Sequence, residues 1–241
     1  MNIHLTMGSV IGILGGGQLG KMLCIAAQRL GYKVHIYSES KDNPAINISD
    51  YYTIGNFEDL KKIQIFAKEC SIVTFETENI PRDTLIRINK LVMIAPGLKS
   101  LEITQDRIKE KEFLSKNDIS VTNFQEISNL SELKSGAEKI LFPAIIKTNR
   151  FGYDGKGQFL VNSYDELITS WNKLEKQKCI LEKKIDFQNE ISVILARKNN
   201  NDIKIYDPSV NLHENGILRS LCKWINSVGV RYEKVTLCGK L

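Results

Sequence analysis

A short apolar run, Val10-Ile11-Gly12-Ile13-Leu14, opens directly into Gly15-Gly16-Gly17-Gln18-Leu19-Gly20-Lys21, and this junction constrains the fold more than any other stretch. The run reads as a strand. Met22 to Leu30 follows with helical character, placing Leu23, Ala26, Ala27 and Leu30 on one face, and Gly31 ends it. Lys33-Val34-His35-Ile36-Tyr37 reads as a second strand, with Glu39 just beyond. Strand, glycine turn, helix and strand make a β-α-β unit, which calls for a parallel sheet. Gly15, Gly17 and Gly20 stand in G-x-G-x-x-G spacing, with an acidic residue about twenty positions on, as in dinucleotide-binding turns. The physical content of that pattern is narrower. Helix N-terminal N–H groups facing an open turn suit an anion, whether an NAD pyrophosphate or a single sugar phosphate. A dinucleotide-binding oxidoreductase is one reading the turn supports.

The unit repeats loosely. Phe57 to Lys68 reads as a helix with Leu60, Ile63, Phe66 and Ala67 facing in, and Cys70 to Phe75 as a third strand. Glu76-Thr77-Glu78-Asn79-Ile80-Pro81 follows at its carboxyl end, where open α/β sheets bind ligands. The alternative is a charged helix start, with Pro81 opening a helix from Arg82 to Leu91. Leu91 to Ile94 reads as a fourth strand. Pro96-Gly97 then breaks the chain, and a first domain is placed over residues 1–98.

Ser100 to Ser115 reads as one helix decorated by Gln105, Asp106, Arg107 and Lys111, whose charges read as solvated, with a catalytic role as the alternative. Val121 to Phe124 reads as a strand, and Ser131 as the N-cap of a helix through Lys139. Phe142 to Ile146 and Phe159 to Val161 are strand-like and flank Lys147-Thr148-Asn149-Arg150-Phe151-Gly152-Tyr153-Asp154-Gly155-Lys156-Gly157-Gln158. This is a hairpin with a glycine-rich tip. Glycines let backbone approach a ligand, and Lys147 and Lys156 add positive charge, as a triphosphate requires. An ordinary surface hairpin is the plainer reading. A helix from Ser163 to Leu174 follows, then strands from Cys179 to Ile185 and from Glu190 to Ala196. A backbone N–H and C=O in the Lys183–Ile185 stretch would suit the edge of adenine.

Composition excludes several classes. The net charge of +5 is spread along the chain and makes no case for nucleic acid. The five cysteines are scattered and form no C-x-x-C pair, which fits reduced thiols in a cytoplasm, without a disulfide framework or structural zinc. No apolar run approaches the ~20 residues of a membrane span, and no signal peptide is apparent at the N-terminus.

Several motifs agree with one family. The chain resembles the N5-carboxyaminoimidazole ribonucleotide synthetases, ATP-grasp enzymes of purine biosynthesis. The likeness rests on Ile13 to Gly20, Thr74-Phe75-Glu76-Thr77-Glu78-Asn79, Gln105-Asp106-Arg107, Gly152 to Gln158, and Asn211-Leu212-His213 before Gly216-Ile217-Leu218. It implies α/β and α+β architecture: a Rossmann-like pre-ATP-grasp domain that uses no dinucleotide, then a partial ATP-grasp domain over 99–219. It implies that Arg107 and Lys147 contact ATP phosphates and that Gly152, Tyr153, Asp154, Gly155, Lys156, Gly157 and Gln158 cover them as a lid. Glu182, Lys183, Lys184 and Ile185 would form the adenine hinge, Glu190 would hold the ribose, and His213 would sit beside the nucleotide. Gly17, Gln18, Leu19, Glu76, Glu78, Tyr153, Asp154 and Lys156 would face the ribonucleotide, with Asp154 and Lys156 catalytic. The implied reaction joins bicarbonate to 5-aminoimidazole ribonucleotide at the expense of ATP, with Mg²⁺, in a homodimer.

After Arg219 the chain departs from the family pattern. The family's later carboxylate, Asn-Glu pair and Pro-Arg-x-His-Asn-Ser-Gly-His motif are missing, and residues 220–241 read as a divergent tail. The carboxylates hold Mg²⁺, so activity in this chain alone is expected to be nearly lost. Ile191, Val193 and Leu195 are expected to leave apolar surface uncovered. An inactive nucleotide-binding remnant, or one half of a split synthetase, is the competing reading.

Overall fold

A computed structural model describes residues 4–152, 157–198, 202–214 and 217–223. The chain divides into two compact units between Gln105 and Asp106.

The first unit is built on a parallel sheet. β1 (Val10–Leu14) lies between β2 (Lys33–Ser38) and β4 (Ile72–Phe75), and β3 (Tyr51–Ile54) pairs with the outer side of β2. Successive residues of the inner strands enter opposite cores. Ile13 and Ile36 join Cys24, Val34 and Ile46 on one side; Leu14 and Tyr37 join Phe66, Val73 and Leu85 on the other. Burial on both faces explains why these strands read as continuous apolar runs. The helices of this unit are α1 (Gln18–Arg29), α2 (Leu60–Lys68), α3 (Arg82–Asn89) and α4 (Leu98–Thr104).

Three expectations in this unit need correction. Helix α1 starts at Gln18 and turns Gly20 and Cys24 inward, with Ala27 partly buried against the core, while Leu23 and Leu30 are 40% and 70% exposed. Small side chains at this spacing let the helix lie close to the sheet, and that contact outweighs the pull of the larger residues. Strand β3 was not anticipated; it sits at the sheet edge with Tyr51 and Tyr52 exposed. Leu91 to Ile94 is no full strand: only Ile94 bridges, to Val73.

The expected helix from Ser100 to Ser115 is two helices, α4 and, in the second unit, α5 (Arg107–Lys116). The Gln105 side chain folds away to donate to the carbonyls of Glu78 and Ile80. Asp106 is extended (φ −128°, ψ 110°), and its carboxylate caps α5 by accepting from the Ile108 and Lys109 amides. A side chain that caps the next helix cannot leave its own residue helical.

The second unit carries an antiparallel sheet in the order β5 (Phe124–Ile127), β8 (Cys179–Lys183), β6 (Ala144–Thr148), β7 (Gln158–Val161). Helices α6 (Leu130–Ile140) and α7 (Tyr164–Lys173) cover one face, burying Leu133, Ile140, Leu167 and Trp171 against Ala144, Ile146, Cys179 and Leu181. Helix α7 falls within the expected Ser163 to Leu174 stretch, with Ser163 as its N-cap. The cap of α6 is Asn129 rather than Ser131: its side chain accepts from the Glu132 amide, and Glu132 reaches back to the Ser128 amide. Strand β5 starts three residues later than expected, because Thr122 and Asn123 are engaged with the end of β8 instead.

Beyond β8 the expected single strand is two: β9 (Glu190–Ser192) pairs with β12 (Ser209–Glu214), and β10 (Leu195–Arg197) pairs with β11 (Ile203–Ile205). Strand β13 (Ile217–Lys223) completes the β9–β12 sheet and takes in the first residues of the stretch read as a tail. Apolar surface is open here, as anticipated: Ile191 is 39% exposed, Leu212 53% and Leu221 58%, although Val193 and Leu195 are partly covered. No helix among the described residues is long and apolar enough to cross a membrane.

Candidate functional site

Alternation along β6 and β8 sorts their side chains. Ala144, Ile146, Cys179 and Leu181 enter the helix-covered core, so Ile145, Lys147, Ile180 and Glu182 share the other face. The antiparallel register sets Ile145 opposite Glu182 and Lys147 opposite Ile180, making Lys147 and Glu182 diagonal neighbours. Lys147 Nζ lies 2.5 Å from Glu182 Oε2. Lys111, on α5, brings its Nζ to 2.9 Å from the other oxygen, Glu182 Oε1.

Glu182 is 5% exposed and Lys111 8%. Burial alone would raise the carboxyl pKa, but the charges and hydrogen bonds of Lys147 and Lys111 override it and hold the group below its ordinary value. Glu182 is therefore a carboxylate at neutral pH. The expectation of a solvated Lys111 is corrected: it is buried because α5 packs where its ammonium meets a charge that only the folded sheet supplies. Only the placement of Glu182 on the face of β8 away from the helices could have signalled this in the sequence.

One turn before Lys111, Arg107 works on the base of the glycine hairpin. Its Nε donates to the Thr148 carbonyl at 3.1 Å and its Nη2 to the Gly152 carbonyl at 3.2 Å. Asn149, 3% exposed, accepts the Ile108 amide on its side chain, and its own carbonyl accepts the Arg107 amide. The first turn of α5 and the chain leaving β6 are thus laced together. On the returning side Gly157 takes φ +73°, and a Cβ there would meet Thr148 Oγ1 at 3.0 Å, while its carbonyl accepts the Thr148 amide. Lys147 stands opposite Gln158 at the foot of the hairpin, as expected. Tyr153, Asp154, Gly155 and Lys156, at its tip, lie outside the described residues.

At the end of β8 the backbone is partly committed. The Lys183 amide donates to Asn123, its carbonyl accepts from Thr122 Oγ1, and the Lys184 amide donates to Pro143. The Lys184 carbonyl and the Ile185 amide have no partner among the described residues. They belong to one trans peptide unit and point in opposite directions, so one edge of a ligand can meet only one of them. In the β9–β12 sheet Glu190 stands opposite Asn211, and His213 Nδ1 lies 3.4 Å from Glu190 Oε2. Asn211 donates to Ser192 Oγ, and its own Oδ1 is buried without a partner among the described residues.

The glycine turn of the first unit is occupied by the protein itself. Glu76 Oε1 accepts the Gly17 amide at 3.0 Å. Gly15 has φ +108°, and a Cβ there would lie 2.5 Å from the Glu76 carboxylate. A carboxylate already fills the place where a pyrophosphate would bind. Gln18 and Leu19 are exposed, and Glu78 is half-buried.

Comparison with known proteins gives a consistent result. The family profile for the ribonucleotide synthetase preATP-grasp domain matches residues 8–105, and that for the ATP-grasp domain matches 112–230. The chain is 36% identical over 214 residues to an N5-carboxyaminoimidazole ribonucleotide synthase of Staphylococcus epidermidis, spanning 89% of this chain but 57% of that protein. The N5-carboxyaminoimidazole synthetase of Staphylococcus aureus, solved in complex with ADP, is 34% identical with a TM-score of 0.85, over 89% of this chain and 57% of that one. The synthase of Aspergillus clavatus, solved with ADP and 5-aminoimidazole ribonucleotide, is 26% identical with a TM-score of 0.82, over 92% and 59%. The chain thus spans little more than half the length of the synthases it matches.

Proposed function

The chain belongs to the ATP-grasp family, with a ribonucleotide synthetase pre-ATP-grasp domain ahead of the ATP-grasp domain, and on that footing we propose that it is an ATP-dependent ligase lobe acting on 5-aminoimidazole ribonucleotide. Its reaction is carboxylation by bicarbonate to N5-carboxyaminoimidazole ribonucleotide in purine biosynthesis, in the cytoplasm, within a homodimer. The observation that carries the reading is the paired-lysine carboxylate beneath the glycine hairpin: Lys147 sits at the hairpin foot with an ammonium neighbour beyond Glu182. The ligands of the Staphylococcus aureus and Aspergillus clavatus proteins support it.

The residues take these roles. Lys147 and the hairpin amides hold the ATP phosphates, with Arg107 fixing the hairpin base and reaching the phosphates with its remaining donors. Backbone groups of the Glu182, Lys183, Lys184 and Ile185 stretch take adenine, and Glu190 holds the ribose beside His213. The residues assigned to the ribonucleotide are Gly17, Gln18, Leu19, Glu76 and Glu78 in the first unit and Tyr153, Asp154 and Lys156 in the second.

Bicarbonate oxygen takes the γ-phosphoryl group, ADP leaves, and carboxyphosphate forms. The exocyclic amine then bonds to the carboxyl carbon, phosphate departs, and the amine proton passes to a base, for which Asp154 is the choice. Carboxyphosphate hydrolyses readily, so a closed hairpin protects it.

Glu182 and Glu190 do not suit a magnesium ion, and the described residues hold no cluster of three or more His, Cys, Asp or Glu side chains that could. Both oxygens of Glu182 are taken by lysines, and Glu190 faces His213. Phosphoryl transfer by these residues alone is therefore expected to be slow. The open apolar face around Leu212 and Leu221 favours a second reading, a nucleotide-binding lobe completed by further polypeptide. The oxidoreductase reading is disfavoured, because Glu76 would repel a pyrophosphate from the glycine turn. Calorimetry with ATP and with NADH tests the proposal. ATP binding without NADH binding is expected; NADH binding without ATP binding would overturn it. Adding 5-aminoimidazole ribonucleotide and bicarbonate and measuring ADP release separates the active enzyme from the incomplete lobe.

A further inference from the structure

We infer that Lys111 is a positioning residue for the nucleotide phosphates: by holding one oxygen of Glu182, it keeps Lys147 from being neutralised and leaves that ammonium available to a polyanion. The inference rests on the ATP reading above and adds to it a residue that never touches the ligand.

Three groups carry the argument. Glu182 gives Oε1 to Lys111 and Oε2 to Lys147, so two positive charges share one negative charge. The cluster keeps a surplus of one positive charge in a setting where burial makes charges felt strongly. The lysines differ in reach. The Lys111 side chain is 9% exposed and fixed on α5, whereas that of Lys147 is 22% exposed at the hairpin foot. Only Lys147 is open to a ligand. With Lys111 absent, Glu182 and Lys147 form a neutral closed pair, and a phosphate has to compete with a buried carboxylate for the ammonium. With Lys111 present, the carboxylate is already compensated, and Lys147 can turn to the phosphate without stranding an unpaired buried charge. Arg107 and Lys111 are also one helical turn apart and share a face of α5. One helix therefore fixes both the hairpin base and the charge of the lysine below it.

The test compares ATP and adenosine affinities by calorimetry for the full chain, Lys111→Met, Lys111→Arg, Glu182→Gln and the Lys111→Met/Glu182→Gln double variant. The ratio of the two affinities reports the phosphate contribution alone. In Lys111→Met the preference for ATP should fall about tenfold with adenosine binding unchanged, and Lys111→Arg should restore it. In the Glu182→Gln background, adding Lys111→Met should cost much less than tenfold, because Lys111 acts chiefly through the carboxylate. This pair of variants leaves no buried carboxylate and decides the matter even if Lys111→Met alone does not fold. An unchanged ratio in folded Lys111→Met overturns the inference. So does a loss of about tenfold or more on adding Lys111→Met to Glu182→Gln, which would mean that Lys111 acts on the ligand without the carboxylate. Absence of any preference for ATP in the unmodified chain would instead defeat the proposed function itself.

Discussion

Arg107 donates through Nη2 to the carbonyl of Gly152, a residue 45 positions later in the chain, at 3.2 Å. With the Nε bond to Thr148, this guanidinium fork clamps the segment that leaves β6 for the hairpin tip. The helix start and the hairpin base are one mechanical unit, set beside buried charge.

Lysine cannot reproduce a planar fork with donors at fixed angles. Arg107→Lys should leave the unit folded but loosen the hairpin base. Limited proteolysis should cut within residues 150–158 faster than in the unmodified chain, and ATP affinity should fall about tenfold. Unchanged cleavage would show that the clamp does not restrain the segment.

Asn149 is buried and is a second acceptor for the Ile108 amide, which Asp106 also caps. Asn149→Ala removes an acceptor and leaves polar groups less satisfied, at a cost of about 1–3 kcal/mol. Urea unfolding monitored by tryptophan fluorescence should show a lower midpoint with the same slope. Asp106→Ala in the same assay should cost less if Asn149 alone can hold the amide.

Gly15 combines a left-handed backbone with a side-chain space already taken by Glu76. Gly15→Ala should destabilise the first unit by at least about 2 kcal/mol. Adding Glu76→Ala should recover the part due to the close contact but not the part due to φ. Thermal unfolding of the two variants distinguishes the contributions.

The pH response has a definite sign. The carboxyl pKa of Glu182 is depressed in the folded state, so the folded chain binds fewer protons than the unfolded chain below the ordinary value of 4.5. Its contribution to stability is complete above that value and is lost as pH falls further. Glu182→Gln should flatten the acid limb of a stability-versus-pH curve below about pH 4.5.

His35 acts in the same direction at higher pH. Its ring is 2% exposed, bonds Thr53 Oγ1 through Nε2, and meets Phe66 edge-on. Burial lowers its pKa from 6.5, with Glu69 opposing the shift. The unfolded chain therefore takes up a proton first as pH drops below 6.5, and stability falls with it. His35→Gln should weaken that dependence below the ordinary histidine value of 6.5 in urea titrations.

Much of this was legible in the sequence where one interaction dominates locally. The β-α-β start, the helix after Ser163 and the glycine hairpin between β6 and β7 each follow from periodicity and turn residues within a few positions. Lys147 and Glu182 could be named one by one, and Glu190 and His213 likewise. What failed were features decided by distant partners. The break at Gln105 depends on carbonyls of Glu78 and Ile80, and the burial of Lys111 depends on a strand some seventy residues away. The inward face of α1 went to Gly20 and Cys24 because closeness to the sheet counted for more than side-chain size. Periodicity registers which residues are apolar but not how near a neighbouring backbone must come.

The alternation of β6 and β8 has an implication for tolerated change. Substitutions along these strands act one side chain at a time, but inserting or deleting a single residue inverts every later position. A one-residue deletion early in β8 would turn Leu181 toward the lysines and drive Glu182 into the layer of Leu167 and Trp171. Both the electrostatic cluster and the helix-backed interior would be lost at one stroke. Length heritable through these strands should therefore be fixed far more tightly than composition, with indels confined to the connections on either side.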